Sequence, residues 1–92
     1  MLFYKLNYTP EAENDIKKFE KAGDKFSLKK LDVLLKELEK HPQTGTGHPE
    51  QLKGMENCWS RKITQKHRLV YKIEENIVTV LVLAAYGHYD DK

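Results

Sequence analysis

Apolar positions along the chain change period twice. The opening LFYKLNY is rich in aromatic and apolar residues of strand type and is stopped by Thr9-Pro10. Ala12, Ile16 and Phe19 then recur at helical spacing. Thr9 suits an N-cap, Pro10 the first helical position, where its missing N–H costs nothing, and Gly23 a left-handed C-terminal stop. Asp24 or Ser27 can cap a second helix, in which Leu28, Leu31, Leu35 and Leu38 form one stripe supported by Leu34, and which stops before Pro42. Two such helices joined by a few residues form a hairpin whose apolar face needs a partner layer. A coiled coil fits less well, because the leucine repeat spans under two heptads and the chain supplies a sheet to cover.

Residues 42–58, PQTGTGHPEQLKGMENC, read as a loop with one short extended piece in GHPEQLKG. Three strands follow, Trp59 to Thr64, His67 to Ile73 and Ile77 to Ala85, and their short links predict antiparallel hairpins. In HRLVYKI, Leu69, Tyr71 and Ile73 share one face and Arg68, Val70 and Lys72 the other, so a helix layer on the first face leaves Arg68 on the open one. NIVTVLVLAA is apolar on both faces, as a covered central strand would be. The predicted fold class is α+β: an N-terminal strand, a two-helix hairpin, then an antiparallel meander of three to four strands, in one domain over residues 1–92.

Composition narrows the function. One cysteine, Cys58, excludes an internal disulfide framework, and neither a signal segment nor a long apolar stretch is present, so a soluble, cytoplasmic protein is expected. The net charge is only +2, yet from Gln51 to Ile73 six bases face a single acid, Glu56. Such a strip is either a solvated strand face or the footprint of a polyanion. His41, His48, His67 and His88 lack metal-ligand spacing, and GTGHPEQLKG lacks the order of a phosphate-binding loop, so no cofactor is expected.

What remains is an acid–base set: Glu50 in the glycine-rich loop, Arg68 on the open strand face, and His88-Tyr89 after the last strand. Each also has an ordinary reading, as a loop carboxylate, a strand-face cation and a ring packed on a core edge. Together they suit RNA cleavage. There the substrate's own 2′-hydroxyl is the nucleophile, and the protein need only move two protons and neutralise charge on phosphorus.

GHPEQLKG, WSRKITQKHRLVYKIEEN and the terminal GHYDD, in that order and spacing, resemble the YoeB/Txe toxins of the RelE/ParE toxin–antitoxin superfamily. The resemblance implies a ribosome-dependent mRNA endonuclease, acting without a metal, that cuts in the ribosomal A site. Carried over by position, it implies Glu50 as general base, Arg68 as the phosphate-stabilising group, His88 as general acid and Tyr89 as the residue that orients or stacks the scissile nucleotide. Lys53, Arg61 and Lys62 fall at RNA-binding positions. The chain departs from some relatives in continuing past Tyr89 as Asp90-Asp91-Lys92, as in the Txe branch, and in reading Arg-Lys where many have Arg-Arg.

The implied partners are a cognate antitoxin of YefM, Axe or Phd type, the 70S ribosome carrying mRNA, and operator DNA reached through the antitoxin complex. No membrane is implied, and a homodimer is left open. Two rivals use the same fold: a ParE-like gyrase poison without catalysis, and a pure antitoxin-binding and operator-binding module.

Overall fold

Chain order and sheet order differ. The computed structural model describes residues 3–87. Strand β1 (Lys5–Tyr8) leads into helices α1 (Pro10–Ala22) and α2 (Lys25–Leu38), followed by β2 (Glu50–Gln51), β3 (Cys58–Lys62), β4 (Arg68–Glu74), a 3₁₀ turn (Glu75–Ile77) and β5 (Thr79–Ala84). The sheet runs β1-β5-β4-β3-β2, antiparallel throughout except for β1, which lies parallel to β5. The fold is α+β with five strands, the short GHPEQLKG piece supplying the edge strand β2.

Both helices begin where the sequence places their caps. The Thr9 hydroxyl accepts the Ala12 N–H at 3.0 Å, Pro10 opens α1, and Gly23 closes it in the left-handed region. Asp24 caps α2 by accepting the Ser27 N–H at 3.1 Å and the Ser27 hydroxyl at 2.7 Å. Ala12 and Phe19 from α1 and Leu31, Leu34 and Leu38 from α2 pack on Leu69, Tyr71, Ile73, Val80 and Val82 of the sheet. Burial of these side chains, worth roughly 1.5–3 kcal/mol each, is the main force holding helices to sheet.

Strands β3 and β5 are shorter than the sequence suggests, while β4 keeps its length and shifts by one residue. Thr64 leaves the ladder because its hydroxyl accepts the N–H groups of Lys66 and His67 at 3.1 and 3.2 Å, closing the β3–β4 turn. Ile77 belongs to the 3₁₀ turn, and Val78 follows it with φ 48°. Near the far end of β5 the register slips by one: Tyr71 pairs with Val82 but Val70 with Ala84. Leu83 is the extra residue, and the Thr9 hydroxyl donates to its carbonyl at 2.8 Å. A bulge of this kind bends the strand and changes which side chains face the core, so Ala85 is buried although it follows an outward Ala84.

Candidate functional site

Cross-strand partners share a face of a sheet, so the register assigns every residue of the basic strip to one side or the other. On the face turned from the helices, one row runs Glu50, Ser60, Val70 and Ala84 across β2, β3, β4 and β5. The next row pairs Lys62 with Arg68, and the row on the other side joins Cys58, Lys72 and Leu81. Ser60 and Val70 are nearly inaccessible, at 1% and 4%. They lie between Lys62 and Arg68 on one side and Lys72 on the other, with the exposed Glu50 at the sheet edge. Glu50 and Arg68 are separated by two strand spacings across the sheet and two residues along it, about 12 Å in all. Three cations on one sheet face with one carboxylate at its edge suit an extended polyanion.

Glu50 is delivered by a loop that is fixed from inside. The Glu37 carboxylate accepts the Thr46 N–H at 2.8 Å and the Thr46 hydroxyl at 2.6 Å, and the Lys62 N–H donates to the Gly47 carbonyl at 2.7 Å. Gly47 has φ +87°, and a Cβ there would sit 2.9 Å from the Lys62 carbonyl oxygen, so glycine alone lets the loop lie this close to β3.

Arg61 organises the same loop, and here the RNA-binding expectation is corrected. It is wholly buried, and all five of its N–H groups are used: Nε donates to the Tyr71 hydroxyl at 3.1 Å, Nη1 to Glu37 at 2.8 Å and to the Thr46 carbonyl at 3.4 Å, and Nη2 to the carbonyls of Thr44, at 2.7 Å, and His41. Tyr71 in turn donates to the Pro42 carbonyl at 2.7 Å. A guanidinium so enclosed has no surface to offer RNA. The signal for this lay in WSRKI: alternation puts Arg61 with Trp59 and Ile63 on the apolar face, and Lys62 with Ser60 on the other. Burial alone would raise the Glu37 carboxyl, but hydrogen bonds from Thr46 and the Arg61 guanidinium outweigh it and hold the group below the ordinary carboxylate range. Burial raises the Tyr71 hydroxyl despite the opposing Arg61 charge, which keeps it protonated as a donor.

Of the remaining sequence candidates, Lys62 and Arg68 are half-buried neighbours on the outer face, and Lys53 is exposed in the β2–β3 turn. His88 and Tyr89 lie outside the described residues. The chain leading to them is tied down beside Arg68, whose N–H donates to the Gly87 carbonyl at 3.0 Å. Two residues of this end of the site escaped the sequence reading. Asp15 is buried at 4% and accepts the Ala85 and Tyr86 N–H groups at 2.9 and 3.3 Å, while His67 Nδ1 accepts that of Gly87 at 2.8 Å. Asp15 was detectable as an acid on the same helical face as Ala12, Ile16 and Phe19, where a carboxylate needs a partner.

Residues 8–89 match the family model described as the YoeB-like toxin of bacterial type II toxin–antitoxin systems. The chain belongs to the YoeB toxin family. Toxin YoeB of Escherichia coli K12 is 36% identical over 86 residues, covering 92% of this chain and 99% of that protein. Among solved structures, a YoeB/ParE toxin from Agrobacterium tumefaciens superposes with a TM-score of 0.85 at 32% identity, covering 92% of this chain and 99% of the other. A heterotetrameric YoeB–YefM toxin–antitoxin complex from Staphylococcus aureus contains a chain matching at TM-score 0.79 and 32% identity, over 94% of this chain and 98% of that one. This YoeB-family chain is thus the toxin of a type II toxin–antitoxin pair, built on the fold its sequence implied. No helix among its described residues is long and apolar enough to cross a membrane.

Proposed function

We propose that this toxin is an endoribonuclease that cleaves mRNA on the ribosome through the 2′-hydroxyl of its substrate. The observation that supports this best is the grouping of Glu50, Lys62 and Arg68 on one face of the sheet, with the segment that leads to His88 fastened to Arg68 through Gly87. Glu50 takes the proton of the 2′-hydroxyl, whose oxygen attacks the adjacent phosphorus. Arg68, with Lys62 beside it, neutralises the charge that develops on the phosphoryl oxygens. His88 gives a proton to the departing 5′-oxygen, leaving a cyclic phosphate on one fragment and a free 5′-hydroxyl on the other. Tyr89 stacks the scissile nucleotide and Lys53 holds the backbone; Arg61 has no part in contacting RNA. Each positioned acid or base contributes about 10²–10⁴-fold.

The ribosome and its mRNA place the reaction in the cytoplasm. The Staphylococcus aureus assembly supports a cognate antitoxin of YefM type. In this reading the antitoxin covers the basic face of the chain, and operator DNA is reached through the resulting complex. Primer extension on mRNA bound to purified 70S ribosomes tests the proposal. Wild-type protein is expected to produce discrete breaks, and Arg68→Ala and His88→Ala to abolish them while remaining folded. Cleavage undiminished in both variants would sink the assignment, and gyrase-dependent DNA breaks with intact mRNA would favour the non-catalytic poison instead.

A further inference from the structure

Three consecutive backbone N–H groups, those of Ala85, Tyr86 and Gly87, are bound by side chains and not by a neighbouring strand. Asp15 on α1 accepts the first two, at 2.9 and 3.3 Å, and His67 Nδ1 the third, at 2.8 Å. The Gly87 carbonyl is held from the other side, by the Arg68 N–H at 3.0 Å. The adjacent residues His67 and Arg68 therefore grip Gly87 at both its N–H and its C=O. The His67 ring is itself fixed, edge-on to Phe19 at 4.9 Å and tilted against Tyr86 at 4.4 Å, with the Lys18 ammonium over the Tyr86 ring at 4.9 Å. Gly87 adopts φ +85°, a conformation open to glycine at no steric cost.

We propose that His67 is a positioning residue for the reaction: its Nδ1 holds the Gly87 N–H and so sets where the chain delivers His88 relative to Arg68. This inference rests on the nuclease reading given above. For Nδ1 to accept, it must carry a lone pair, so the imidazole is neutral with its proton on Nε2. Asp15 secures the two preceding residues, and the clamp replaces the strand pairing that ends at Ala84. A clamp of this kind matters because reacting groups displaced by about 1 Å lose on the order of 10² in rate. His67 does not touch the substrate; it acts through the backbone of Gly87.

The test compares His67→Ala with His67→Asn, whose side-chain oxygen can take the place of Nδ1 but whose amide cannot stack as a ring does. With ribosome-bound mRNA, His67→Ala is expected to lower kcat about 10²-fold with KM changed little, and His67→Asn to restore about ten-fold of that loss. In parallel, amide hydrogen exchange should show Gly87 protected in the wild type and in His67→Asn but exposed in His67→Ala, with Leu69 protected in all three. Long-range proton–nitrogen NMR should show an unprotonated Nδ1 in wild-type His67. The exchange and NMR readouts need no nuclease activity, so a wild type that fails to cleave RNA would overturn the nuclease reading and leave the clamp to be judged on them. The clamp is overturned by unchanged kcat in His67→Ala, by equal losses in both variants with Gly87 still protected, or by a protonated Nδ1.

Discussion

Arg61 and Glu37 form an ion pair at 2.8 Å in which the arginine is wholly enclosed and the glutamate side chain keeps 28% of its exposure. The pair lies beneath the loop that carries Glu50, so the charge that the sequence assigned to RNA instead holds the scaffold of the site. Arg61→Ala is expected to cost about 3 kcal/mol, because it strands the loop carbonyls and the Tyr71 hydroxyl without their donor. Arg61→Lys should not rescue it, since one ammonium cannot supply five planar donors. Chemical denaturation of the two variants measures both effects.

Lys62 should behave in the opposite way. Lys62→Ala is expected to change stability by no more than about 0.5 kcal/mol, while weakening binding of single-stranded RNA. The dependence of that binding on salt should fall by about 0.7 in log–log slope, the loss of one phosphate contact. Lys62→Arg should tighten binding through bidentate contact. Fluorescence anisotropy with a labelled, uncleavable oligonucleotide at several salt concentrations distinguishes these outcomes.

Acid should loosen the loop and the start of α2 together. Hydrogen bonds from Ser27 hold the Asp24 carboxyl below its ordinary value, and Glu37 is lowered by the balance already described. A carboxylate whose folded pKa is depressed contributes stability above its unfolded pKa and loses it as pH falls through the folded one. Stability should therefore decline from about pH 4 downward. Glu37→Gln should flatten part of that decline while lowering stability at neutral pH, as read from urea titrations across the acid range.

Thr9 joins two elements through one hydroxyl, capping α1 and donating to Leu83 at the bulge. Thr9→Val keeps the shape and removes both bonds, for an expected loss of about 1–2 kcal/mol. Thr9→Ser should retain most of the stability. Thermal unfolding of the two variants provides the comparison.

Val78 sits at φ 48°, where a β-branched side chain crowds its own backbone. Val78→Asn or Val78→Gly should raise stability by about 1 kcal/mol, visible as a higher denaturant midpoint.

Much of the fold was legible because its signals are local. The helix caps at Thr9 and Asp24, the leucine stripe and the alternation in HRLVYKI each depend on neighbours a few residues away, and each reappears in the structure. The place of β1 beside β5 was not legible, since pairing between distant segments leaves no short-range period. The site divides in the same way. Arg68 could be assigned to the open face from alternation, and Lys62 follows from WSRKI; the face of Glu50 needed the β2–β3 register, and the enclosure of Arg61 depends on carbonyls contributed by residues 41–46, a loop without periodicity. His67 and Asp15 act on backbone groups of residues 85–87, and no pattern of side chains records where a backbone N–H will lie.

The position of β5 between β1 and β4 also governs how the molecule is assembled in time. Made after the other four strands, it is the one that joins the earliest to the rest; until it inserts, β1 has no partner and β4 presents a bare edge. Contacts between such distant segments form late and slow the search for the native state. A nascent or truncated chain without β5 should then be a half-built sheet with two adhesive edges, prone to aggregate. The sheet, and with it the anchorage of the segment leading to His88, is complete only when β5 is in place.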